Sequence, residues 1–289
     1  MNGDEQYLID QLNNCLGELA ALINAKNQGK RRVQRAIDAY DGDGKLFEAL
    51  TLFRLKSLFD EEGIRTQICR SDGSPSDSFV LRGSPGELNR AREDDGKLPN
   101  PSHIAIDMGD RRIEVHNSVE WPDRLASYGA VHELDISIAE TAACDWLSDW
   151  YGKNEWLQHR TVREHAPLLG MELKFHRDVS TKALGREMTG LAYTTCPMMF
   201  VLGTRREAPY AVRAQVGSLR RLHRRGIKWS ACLTLWQEKK HGHDRERPWA
   251  ASLLPAFLKL WNKRLRSGEE YLEKRDVAVR PTRRKPPPA

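Results

Sequence analysis

With 289 residues and 39% hydrophobic content, the chain can form one large domain or two small ones around a real core. No apolar run approaches the ~20 residues a spanning helix needs, and the acidic start MNGDEQYLID lacks the basic-then-apolar pattern of a signal peptide, so a cytoplasmic protein without membrane association is expected. The 46 Lys and Arg exceed the 40 Asp and Glu by a modest +6, and five dispersed cysteines without a C-x-x-C pair argue against a disulfide framework or a zinc site.

Residues 4–25 read as an amphipathic helix, with Leu8, Leu12, Cys15, Leu19 and Leu22 at spacings of four and three. A shorter helix over 30–40 offers Val33, Ile37 and Tyr40. Together, residues 1–44 are expected to form a helical hairpin or an oligomerising arm, and a homo-oligomer, with a dimer through these helices as one form, is the expected assembly. The run Asp41-Gly-Asp-Gly44 precedes a stronger helix over 45–62, ended by Gly63. That helix is apolar on most sides, and Glu48 shares the stripe of Leu52, Leu55 and Phe59. A carboxylate aimed at a core needs a partner or a job.

A strand-rich stretch follows. Ile64–Cys69 and Phe79–Arg82 are expected to pair as one hairpin, and Ile104–Met108 and Arg112–Val119, across Gly109-Asp110, as another. Next come a strand at His132–Ala139, a Trp-rich helix at 140–158 with Trp146, Trp150 and Trp156, and a strand at Gly170–His176. A helix at 182–195 leads into Met198–Leu202, apolar throughout as a buried parallel strand would be. Val212, Val216, Leu219 and Leu222 stripe a further helix, Trp229–Trp236 reads as the last strand, and a helix at 249–266 follows. Residues 271–289, rich in Pro and basic side chains towards the end, form an expected disordered tail.

Charge is concentrated in one place: eight basic residues and one acid, Glu207, lie between Arg205 and Lys228. Arg213, Arg220, Arg221, Arg224 and Arg225 are the expected grip on a polyanion, with DNA favoured over RNA.

The chemistry concentrates in two strands. Alternation puts Leu134, Ile136 and Ile138 on one face and Glu133, Asp135 and Ser137 on the other. In Met171-Glu-Leu-Lys-Phe175 the same rule sets Glu172, Lys174 and His176 opposite Met171, Leu173 and Phe175. If the strands are neighbours, Asp135, Glu172 and Lys174 converge. Two carboxylates with a backbone carbonyl make a hard-oxygen site suited to Mg²⁺, and a lysine beside them can orient or help deprotonate a water.

This order of helix, strands, Asp, Glu-x-Lys, helix and strand resembles the PD-(D/E)xK, or restriction-endonuclease-like, nuclease superfamily over roughly Leu46 to Thr204. The resemblance implies an α/β fold over residues 45–270: an αβββαβ core with a mixed central sheet flanked by helices. It also implies hydrolysis of phosphodiester bonds in DNA, with Asp135, Glu172, Lys174 and Glu48 as the active-site set. Mg²⁺, replaceable by Mn²⁺, would be held by Asp135, Glu172 and the Leu173 carbonyl, with Glu133 or Glu48 directly or through water. Two departures stand out. Leu134 occupies the place of the family's Pro, and 37 residues separate Asp135 from Glu172, a gap that the Trp-rich helix would fill.

Auxiliary residues are His176, just past Lys174 on the same face, and Arg186 with Glu187 on the following helix. Glu114, His116 and Glu120 share a strand face that could extend the metal site but is more ordinarily solvated. His241-Gly-His243-Asp244 reads as a polar turn. Bacterial defence or repair would suit a stand-alone nuclease with an oligomerising arm. The alternatives are a catalytically inactive protein of the same fold that binds nucleic acid or scaffolds a complex, and a pure interaction protein acting through its two termini.

Overall fold

The computed structural model describes residues 42–82, 85–90, 100–124, 130–153, 165–175, 181–205, 207–222, 226–235 and 252–266. The proposed helices over 4–25 and 30–40, the tail, Trp156, the His241–Asp244 turn, His176, Arg224 and Arg225 lie outside them.

Helix α1 spans Gly42–Glu61. It buries Phe47, Ala49, Leu50, Leu52, Phe53, Leu55, Leu58 and Phe59 around nearly its whole circumference, as a helix apolar on all sides must. Even its buried cations are paired: Arg54 with Glu61 and Lys56 with Asp60, both at 2.6 Å. Gly63, at φ 73°, closes it. The Ile64 N–H reaches the Phe59 carbonyl and the Gly63 N–H that of Asp60, each at 2.9 Å, a pair of hydrogen bonds that needs the left-handed residue glycine supplies.

Seven strands form one sheet in chain order: β1 Thr66–Cys69, β2 His103–Met108, β3 Arg111–Pro122, β4 Val131–Glu140, β5 Leu169–Lys174, β6 Met199–Thr204 and β7 Trp229–Thr234. Strands β1 to β5 run as an antiparallel meander, whereas β5, β6 and β7 are parallel. The parallel steps need crossovers, supplied by α3 (Thr181–Thr195) and α4 (Tyr210–Leu222). Helix α2 (Thr141–Gly152) follows β4, and a last helix, α5, spans 252–266. The architecture is therefore mixed α/β, with helices on both sheet faces. Phe47, Phe59, Phe257 and Trp261 of α1 and α5 cover one face with Ile136, Ile138, Met171 and Val201. Leu147, Met188 and Val216 of α2, α3 and α4 cover the other with Phe200 and Leu202.

One expected pairing is corrected. Residues 79–82 form no strand, and β1 pairs with β2 instead. Phe79 and Leu81 are buried as expected of a strand. Their neighbours' backbone groups, however, bond to side chains: the Val80 N–H to Ser102 Oγ at 3.0 Å, and the Arg82 N–H to Asn117 Oδ1 at 3.2 Å. The β2–β3 hairpin across Gly109-Asp110 forms as expected, with Gly109 at φ 78°. No helix among the described residues is long and apolar enough to cross a membrane.

Candidate active site

The stripe that buries α1 carries Glu48 down onto β3, where it is 6% exposed. Lys45, one turn earlier, lies 2.6 and 2.7 Å from its two carboxylate oxygens and donates to Ser118 Oγ at 2.6 Å. Ser118 Oγ in turn donates to Glu48 Oε2 at 2.9 Å. Burial outweighs this support and leaves the Glu48 pKa raised, despite Lys45 and Ser118.

Ser118 sits at φ 49°, a left-handed conformation rare for a residue with a side chain. In the β3–β4 register it falls between Asn117↔Ile136 and Val119↔Leu134, facing Asp135. At this rung the alternation expected of β4 breaks. Ile136 and Ile138 pack under α1, whereas Leu134 packs with Phe200 and Leu202 on the other face. The three residues therefore do not share a face, because the kinked rung turns the strand.

The same rung opens β4 from β5. Backbone pairing ends at Ile136↔Met171, and the Leu173 N–H donates to Asp135 Oδ2 at 2.6 Å instead. The N–H and C=O of one strand residue point to the same edge, so the Leu173 carbonyl faces that gap too. Burial first, then the charges of Glu172 and Glu48, push Asp135 well above the aspartate range; the single Leu173 N–H opposes them.

Glu172, 9% exposed, lies on β5 beside Leu202 of β6. Burial raises its pKa, and Lys174, which opposes the shift, does not cancel it. Lys174 Nζ stands 2.7 Å from Glu172 Oε1 and 3.0 Å from Glu187 Oε1 of α3. Burial alone would lower its pKa, but the two carboxylates reverse that and raise it. Lys174 is accordingly a cation at neutral pH, a donor and charge partner rather than a base.

The fold thus gathers Glu48, Glu133, Asp135, Glu172 and Lys174 from three elements, with Glu133 acting electrostatically on Glu48, Asp135 and Glu172. Arg186 is exposed on α3, next to Glu187. Arg213, Arg220 and Arg221 are exposed on α4, with Arg213 held by Glu207 at 2.6 Å. Two participants escaped the sequence reading. Lys45 carries only an i, i+3 pairing signal, and Ser118 carries none.

Glu114 and His116 are not on a solvated face. They are buried, and with His103 they make the one group of three or more His, Cys, Asp or Glu among the described residues whose donor atoms all lie within 4.8 Å of one another. Set against family models, curated proteins and solved structures, the chain matches none.

Proposed function

We propose that this chain is a metal-dependent nuclease that hydrolyses phosphodiester bonds in DNA, built on a restriction-endonuclease-like core. The observation that carries the reading is the end of β4–β5 pairing, where Asp135 accepts from the Leu173 N–H and feels the charge of Glu172, which is ion-paired with Lys174. The succession α1, β3, β4, β5, α3, β6, with β6 parallel to β5, supports the same core.

The residues fit a hard divalent cation. Three buried carboxylates have raised pKa, Glu48 and Glu172 both act electrostatically on Asp135, and an all-oxygen set suits Mg²⁺ or Mn²⁺. Asp135, Glu172 and the Leu173 carbonyl would hold it. Glu48, with both oxygens engaged by Lys45, would act through water or through its charge. When bound, such an ion lowers the pKa of a water and offsets charge building on phosphate. Lys174, cationic and anchored by Glu172 and Glu187, orients the attacking water and neutralises a non-bridging phosphate oxygen. The exposed arginines of α4 bind backbone phosphates away from the reacting bond.

The test is incubation with supercoiled plasmid and Mg²⁺ or Mn²⁺, beside Lys174→Ala and an EDTA control. Nicking that requires metal and is lost in the variant is the expected result. Cleavage that survives in Lys174→Ala would place the chemistry elsewhere and overturn the assignment.

A further inference from the structure

The sheet holds a second constellation that the nuclease reading leaves unused. His103 of β2 and His116 of β3 come from neighbouring antiparallel strands, just beyond the Ile104↔Val115 pair, and their rings stack with centroids 5.0 Å apart. Glu114 shares the His116 face of β3 by the two-residue period. Its Oε2 lies 2.8 Å from His116 Nε2 and 3.7 Å from His103 Nε2. These residues are 1%, 2% and 6% exposed for His103, Glu114 and His116.

We propose that His103, Glu114 and His116 bind a divalent cation of the Zn²⁺ class as a buried structural site, separate from the oxygen-lined site at Asp135. The chemistry of the donors sets the class. Two imidazole nitrogens and one carboxylate oxygen suit Zn²⁺ and its borderline neighbours, and Mg²⁺ far less. Tetrahedral bonds near 2.1 Å put neighbouring donors about 3.4 Å apart; the 3.7 Å separation is near that spacing, and the 2.8 Å hydrogen bond between His116 Nε2 and Glu114 Oε2 would open towards it on binding. The dispersed cysteines argue against a cysteine-based zinc framework, although the buried Cys144 thiol hydrogen-bonds Glu114 beside this group.

Two further observations mark a site rather than a closed network. His103 Nδ1 is buried with no hydrogen-bond partner among the described residues, so the ring is not held by a finished set of bonds. Ser137 Oγ, on the residue paired with His116 across β3 and β4, is a second buried orphan. Around the trio, Arg90 grips the other Glu114 oxygen, Oε1, at 2.7 Å and shares its charge with Asp145 at 3.0 Å. That arrangement orients the carboxylate with Oε2 turned to the histidines, as outer-shell partners of metal ligands do. A cation here would fix β2 and β3 to each other and, through Arg90 and Asp145, to α2.

The probe is Co²⁺, added to the full chain freed of metal and kept in excess Mg²⁺ to mask the carboxylate site. One equivalent should give intense visible d–d absorption of a tetrahedral centre, displaced by Zn²⁺, retained in Asp135→Asn and lost in His103→Gln. Histidine-labelled ¹⁵N NMR of the unsubstituted chain assigns the ligands even if that variant does not fold. Zn²⁺ should shift the ring nitrogens of two of the nine histidines. Absence of d–d absorption at excess Co²⁺, its persistence in His103→Gln, its loss in Asp135→Asn, or a count of shifted histidines other than two would each overturn the proposal.

Discussion

Asp135→Asn should make the metal-free protein more stable while abolishing cleavage. Asp135 is held among Glu48, Glu133 and Glu172 with one hydrogen bond, from the Leu173 N–H, to support its charge. An amide oxygen at the same position keeps that bond and removes first the cost of burying a charge and then the repulsion. Relief of such a functional conflict is worth on the order of 1–2 kcal/mol, or a Tm rise of roughly 2–6 °C for a chain of this size. The pH dependence follows from the direction of the shift. An acid whose pKa is raised by folding binds more protons in the native than in the unfolded chain between the two values, so native stability falls as pH rises through that window. Below the ordinary value of 3.8 the side chain is neutral in both states and the advantage of the amide disappears. Above the raised folded value the advantage is complete. Differential scanning calorimetry in EDTA, from pH 8 downward as far as both proteins unfold reversibly, measures it. Mg²⁺ at ten times its Kd should stabilise the unsubstituted protein by about 1.4 kcal/mol and the variant by much less. An Asn variant no more stable than the parent at pH 8, or a difference that does not shrink on acidification, would refute the picture of a strained, electrostatically crowded aspartate.

Ser118→Ala leaves Glu48 with Lys45 alone at a residue in left-handed backbone, and urea unfolding should record a loss of about 1–3 kcal/mol. Gly203→Ala would drive a Cβ to 2.6 Å from both Leu173 Cδ2 and Leu235 Cδ1; an overpacking cost of about 1–3 kcal/mol is expected in the same assay. Replacing Arg220 and Arg221 on the exposed face of α4 with Gln should weaken duplex DNA binding across all sequences. Titrations at several salt concentrations should show the slope of log K against log salt flattening by about 0.9 for each phosphate that is no longer neutralised.

Much of the element order was legible because it is written in local periodicity. The apolar girdle of α1 announced burial and carried Glu48 inward, and the alternation in Met171–Phe175 set Glu172 and Lys174 on one face, where an ion pair at 2.7 Å now joins them. Met198–Leu202 read as a buried parallel strand because it offers no polar face to water, and it became β6. The tertiary structure decided what depends on partners distant in sequence. Residues 79–82 have the composition of a strand, but the partner they were assigned, β1, is taken by β2, some 35 residues downstream, and their own donors are met by Ser102 and Asn117. The break in β4 at Asp135 arises from the left-handed Ser118 opposite it, and no spacing within β4 encodes a kink imposed by its neighbour. Glu114 and His116 looked like a solvated face because a strand's sequence does not say which face a helix will cover. His103 carried no signal at all, since only the β2–β3 register lays it against His116. Local sequence fixes the period of a strand and the burial of a helix, whereas register and cover are long-range choices, and both metal-binding proposals depend on them.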